Sequence, residues 1–132
     1  MKLPTHLVAK ETQALERAVT ALAETRNAQI RFVALFGSKA RGDFEEESDI
    51  DLLIVSETDD WRTRDFIREP VFDVNIDFGL HISPRVISQE QFLSLSRRRP
   101  GFWANLRRDA IELWRRPDTD NPLHPAQLPV AA

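Results

Sequence analysis

Cysteine is absent from all 132 residues, which excludes a disulfide framework, a thiolate zinc site and a cysteine nucleophile, and fits a reducing cytosol. The chemistry has to come from oxygen and nitrogen ligands. No uncharged apolar run approaches the roughly 18 residues of a membrane span. The opening Met1, Lys2, Leu3, Pro4, Thr5 and His6 hold no apolar h-region. The expectation is a soluble, untargeted, cytoplasmic protein with no membrane partner. An excess of positive charge is also missing: the net charge of −3 gives no global argument for nucleic-acid binding, which is allowed and not favoured. Glycine is scarce, with only four in the chain.

What is present supports a single core, since 42% hydrophobic residues over this length suffice for one domain. Charge is unevenly spread. Arg97, Arg98, Arg99, Arg107, Arg108, Arg115 and Arg116 face only Asp109 and Glu112, so this stretch carries about +5 and the rest about −8. Such a run suits an acidic partner, RNA, or no more than a solvated helix face.

The periodicity predicts an amphipathic helix over residues 5–26, with Val8, Leu15, Val19 and Leu22 on one face. A strand over 30–36 is almost continuously apolar and so expected to be buried on both faces. A polar loop, 38–48, separates it from a second strand over 49–55. Ile67, Val71, Val74 and Phe78 predict a helix over 59–78, with Pro70 kinking or restarting it and Gly79 stopping it. A third strand over 80–87 is pushed to a sheet edge or a bulge by Pro84. A helix starting at 88, another over about 100–110 and a short strand over 111–114 complete residues 1–116 as one domain. Residues 117–132 hold four prolines and little apolar periodicity, and are expected to form a mobile tail.

The segment Gly37, Ser38, Lys39, Ala40, Arg41 and Gly42, followed by Asp49, Ile50 and Asp51, carries the chemistry. Phosphoryl and nucleotidyl transfer require triphosphate oxygens held in place and developing negative charge neutralised by a divalent cation. Gly37 lets the backbone approach a phosphate, and Ser38 adds a hydroxyl and begins a short helical turn. Asp49 and Asp51 stand two apart at a strand mouth and so share a face. Two carboxylates that close repel unless a cation lies between them, and oxygen-only ligation suits magnesium or manganese rather than zinc. Glu45, Glu46 and Glu47 read as a solvated loop, and Phe92, Phe102, Trp103, Leu106 and Trp114 as core and docking surface.

Gly-Ser, ten residues, then Asp-x-Asp between apolar strands resembles the signature of nucleotidyltransferases related to DNA polymerase beta. The Gly-Ser-x-Ala-Arg-Gly form resembles their minimal branch. The resemblance implies an α/β (α+β) fold with a short mixed β-sheet flanked by helices, ATP as donor and two magnesium ions. It places Gly37 and Ser38 on the β- and γ-phosphates, Lys39 and Arg41 on phosphate charge, and Asp49 and Asp51 on metal. The family sets a third carboxylate on the following strand, where it assists metal binding and takes the proton of the attacking hydroxyl. The aligned residue is His81, with Asp77, the nearest carboxylate, as the other candidate. The resemblance also implies a role as antitoxin beside a HEPN-type toxin, by transfer of AMP to a hydroxyl of that partner. Neutralisation by binding alone is the alternative, and homo-oligomers are left open.

Overall fold

A computed structural model describes residues 1–43 and 48–124. In chain order the elements are α1 (Ala9–Thr25), β1 (Ile30–Phe36), α2 (Ser38–Arg41), β2 (Ile50–Ser56), α3 (Trp61–Phe78), β3 (Ile82–Ser88), α4 (Gln89–Arg98), α5 (Pro100–Asp109) and β4 (Ile111–Arg115). The strands form one mixed sheet in the order β3-β2-β1-β4, with β1 antiparallel to β2 and β4, and β2 parallel to β3. The expected α+β fold with a short mixed sheet is what the chain adopts.

Strand alternation divides the core into two. Val33 and Leu35 of β1 and Leu52 and Ile54 of β2 face α1 and α3, meeting Leu15, Leu22, Ile67 and Val71. Phe32, Ala34, Leu53 and Val55 point the other way and meet Phe92, Leu95 and Leu106 of α4 and α5. The molecule is thus helix, sheet, helix, with β1 in the middle. Its central position accounts for the apolar run from Ile30 to Phe36, interrupted only by Arg31, because both faces and both edges of β1 are covered. Asp51 lies on the same side of β2 as Leu53 and Val55, so its carboxylate belongs to the α4 and α5 layer.

Pro84 lies on β3, at the sheet edge, where a missing N–H costs no ladder bond on the open side. Pro70 neither ends nor restarts α3, which runs from Asp60, whose side chain accepts the Thr63 N–H at 2.8 Å, to Gly79 in the left-handed region (φ 61°). Pro70 is buried beside Ile67, Val71 and Val74, so its ring adds to the core face that holds the helix in place. The first part of the expected tail, residues 117–124, is described and touches the domain. Leu123 is 2% exposed within the second core, and Arg107 Nε donates to its carbonyl at 3.0 Å. One buried leucine anchors a segment whose composition alone reads as unstructured. The remainder of that tail, 125–132, and Glu45, Glu46 and Glu47 lie outside the described residues. No helix among the described residues is long and apolar enough to cross a membrane.

Candidate active site

The turn after β1 is shaped by one glycine. Gly37 has φ 75° and ψ −160°, a conformation L side chains rarely adopt, and a Cβ there would stand 2.5 Å from Asp51 Oδ2. Phe36 pairs with Asp51 across the ladder, which brings the turn and the carboxylate together. Ser38 opens α2, where the Gly37 carbonyl accepts the N–H groups of Ala40 and Arg41 at 3.1 and 3.2 Å, and Gly42 (φ 90°) ends it. Ser38 therefore sits directly beside the Gly37–Asp51 approach.

Asp49 precedes β2 and Asp51 lies within it. Burial of the Asp51 carboxyl pushes its pKa above the ordinary value, against the pull of Arg85; the charge of Asp49 adds to the rise and Arg41 opposes it. His81 stands just before β3, and its Nδ1 lies 2.7 Å from Asp49 Oδ1. Its side chain is 79% exposed. The register places Ser83, not His81, beside Asp51. His81 thus flanks the first carboxylate and comes one residue before the strand. No set of three His, Cys, Asp or Glu residues gathers around one point among the described residues. Asp49 and Asp51 could offer two oxygen ligands, leaving the remaining positions to phosphate and water, a donor set that suits magnesium.

Lys39 requires a correction. It is 3% exposed and its Nζ is 2.7 Å from Glu11 Oε2 of α1, so the ammonium points into the α1 side of the molecule and is not offered to a phosphate. The physical reason is rotation: on a helix of only four residues, adjacent side chains face different ways, and Glu11 captures this one. Arg41 stays at the surface, its Nε 3.1 Å from both Asp43 carboxylate oxygens, and lines a small hollow of about 120 Å³ with Gly37, Phe36 and Phe102. Asp77, the other candidate for the third carboxylate, pairs with Arg17 of α1 at 3.2 Å.

Sequence reasoning named Asp51, Arg99 and Phe102 but did not bring them together with Arg68 and Arg85 around one cleft. This concavity of about 480 Å³ is lined by Asp51, Phe36, Phe102, Arg68, Arg85 and Arg99, among others. Arg85 lies on β3, two residues after Ser83, so it shares the face of Ser83 and Asp51. Only the register could have revealed it. Arg68 and Arg99 come from α3 and from the junction of α4 and α5.

A mixed four-stranded sheet presenting a paired-carboxylate strand beside a Gly-Ser turn defines a nucleotidyltransferase of α+β type. Residues 19–118 match the family described as Polymerase beta, Nucleotidyltransferase. Over 82 residues the chain is 38% identical to a Methanocaldococcus jannaschii protein named as a candidate protein adenylyltransferase, covering 62% of this chain and 78% of that one. The chain therefore belongs to the polymerase beta nucleotidyltransferase family. Its fold is similar to a crystal structure of a candidate nucleotidyltransferase from Sulfolobus solfataricus, with TM-score 0.53 and 19% identity, covering 88% of this chain and 93% of that one.

Proposed function

We propose that this chain transfers AMP from ATP to a hydroxyl of a partner protein, with magnesium as cofactor. The observation that carries the reading is the approach of Gly37 to Asp51, which leaves no room for a side chain between the turn and the carboxylate. The identity with a relative named for protein adenylyltransfer supports the acceptor class. Gly37 and Ser38 hold the β- and γ-phosphates, Arg41 balances phosphate charge, and Asp49 and Asp51 hold the metal. When bound, magnesium neutralises charge that builds up on the phosphate oxygens.

The acceptor oxygen bonds to the α-phosphorus while the bond from that phosphorus to the α–β bridging oxygen breaks. Pyrophosphate leaves with the bonding pair. The hydroxyl proton passes to His81. His81 Nδ1 faces Asp49 at 2.7 Å, which orients the ring and leaves Nε2 as the nitrogen that would take the proton. We propose a HEPN-type toxin as the partner, which this chain restrains as antitoxin; the motif's resemblance to the minimal branch supports that setting.

The test is transfer of α-labelled AMP to the purified partner. Wild type should label it with magnesium and not with chelator, and Asp49→Asn with Asp51→Asn should abolish labelling. Persistent labelling by the double variant would show the site to be elsewhere. One observation favours a second reading, neutralisation by binding alone: His81 flanks Asp49 and Ser83 stands beside Asp51, so neither of these positions supplies a further carboxylate. On that reading the double variant still protects cells from the toxin.

A further inference from the structure

Asp51 has different surroundings on its two sides. The order β3-β2-β1 puts Gly37, at the end of β1, on one side of it and Arg85, on β3, on the other. The cleft that runs from Phe36 at the end of β1 to β3 takes three guanidinium groups from three separate elements, Arg68, Arg85 and Arg99, against Asp51 as its one lining carboxylate among the described residues. No carboxylate of the described residues lies within ion-pair distance of Arg85 or Arg99; Arg68 meets Asp65 at 3.6 Å, and Arg99 lies over the Phe102 ring at 5.1 Å. Three cations lining one cleft with a single carboxylate among the described residues give it a positive potential that favours an anion.

Nucleotidyl transfer proceeds with attacking and leaving oxygens roughly in line. If the Gly37 turn keeps the departing pyrophosphate on the β1 side, the incoming hydroxyl arrives from the β3 side, over Arg85. We infer that this cleft receives the acceptor, and that it selects a protein segment with acidic side chains flanking the reactive hydroxyl. The inference rests on the transferase reading for the direction of approach, whereas the charge preference rests on the lining itself. Guanidinium groups pair with carboxylates in bidentate fashion, and Phe36 and Phe102 supply an apolar wall for the residue between them.

The experiment uses the full chain and three fluorescent peptides of equal length, identical except that a central phenylalanine is flanked by glutamates, by glycine and serine, or by lysines. Anisotropy should show the acidic peptide binding roughly tenfold more tightly than the neutral one, and the basic one weakest. Arg99→Glu combined with Arg68→Glu should reverse the order, while Arg99→Lys should keep it. Equal binding of all three peptides overturns the inference. So does tighter binding of an oligoribonucleotide with a free 3′ hydroxyl, which would assign the cleft to RNA, or loss of the ATP-dependent thermal shift in the reversal variant, which would assign the arginines to the nucleotide. Tyrosine versions of the peptides with labelled ATP separate the two readings. An acidic peptide that binds selectively but takes no label supports the cleft's preference and removes the transferase activity.

Discussion

Gly37 satisfies two constraints at once, a left-handed φ of 75° and a position where a Cβ would meet Asp51 Oδ2 at 2.5 Å. On the proposed function magnesium and ATP together should raise the thermal midpoint, and Gly37→Val should eliminate that rise. Ser38→Ala should weaken ATP binding by only about 0.5–1.5 kcal/mol, the worth of one hydrogen bond. Calorimetric titration of both variants checks this, and equal, small losses would reduce the turn to a mere connection. Asp51 makes a second, opposite forecast. Its folded pKa is raised, first by burial, so the folded state holds the proton more tightly than the unfolded one. Stability from this group is present at pH below its unfolded pKa and is lost as pH rises through the folded value. At neutral pH the ionised carboxyl opposes folding, and Asp51→Asn should raise the midpoint of the nucleotide-free protein while removing its response to magnesium and ATP. A lower midpoint in that variant contradicts the assignment.

Between elements, two ion-pair groups tie the site to the scaffold. Glu11 of α1 accepts the Val8 N–H at 3.1 Å through one oxygen and holds Lys39 of α2 through the other, at 2.7 Å. His6 bonds the Lys39 carbonyl from the N-terminal side, so the turn carrying Gly37 is braced from behind. Glu11→Ala removes the carboxylate 2.7 Å from the buried Lys39 ammonium and should cost about 3–5 kcal/mol in urea unfolding, whereas methionine at both positions should cost much less. Near β4, Glu57 accepts from Arg31 at 2.9 Å and from Arg116, whose other nitrogen reaches the carbonyls of Asn27, Ala28 and Ile30 at 3.1, 3.3 and 2.8 Å. Burial alone would raise the Glu57 pKa, but the bonds and charges of the two arginines outweigh it and leave it lowered. A depressed carboxylate contributes stability above its unfolded pKa and loses it as pH falls through the folded one. Acid titration of stability should accordingly be flatter for Glu57→Gln than for wild type below the usual glutamate range; superimposable curves would show the cluster to be inert.

Across the molecule, the sheet separates two tasks. The α1 and α3 face is packed almost wholly with aliphatic side chains, while the α4 and α5 face shares its layer with Asp51 and the arginine-lined cleft. Leu123, arriving from beyond β4, completes this second core among Phe32, Phe92 and Leu106. Leu123→Ala should destabilise by about 2–5 kcal/mol, as for other fully buried leucines. Differential scanning calorimetry would register it, and a loss below that range would mean that the segment after Arg116 is only loosely attached.

Much of this architecture is readable in one dimension. The strand from Ile30 to Phe36 follows from an apolar run interrupted only by Arg31, since hydrophobic spacing records which local geometry buries a side chain, and the starts of α4 and α5 follow from Ser88 and Pro100. Gly37, Asp49 and Asp51 were likewise visible, because a glycine turn and alternate carboxylates are local patterns. Lys39 was misjudged for the converse reason: its direction depends on Glu11, a partner from another helix. Arg85 could not be placed until β3 paired with β2, since a shift of one residue would turn it to the opposite face. His81 stands against Asp49 through that same pairing. Periodicity is written into neighbouring residues, whereas register, buried ion pairs and the docking of Leu123 are set by packing between segments far apart in the chain, where the free energy of the whole fold selects among partners that the sequence leaves open.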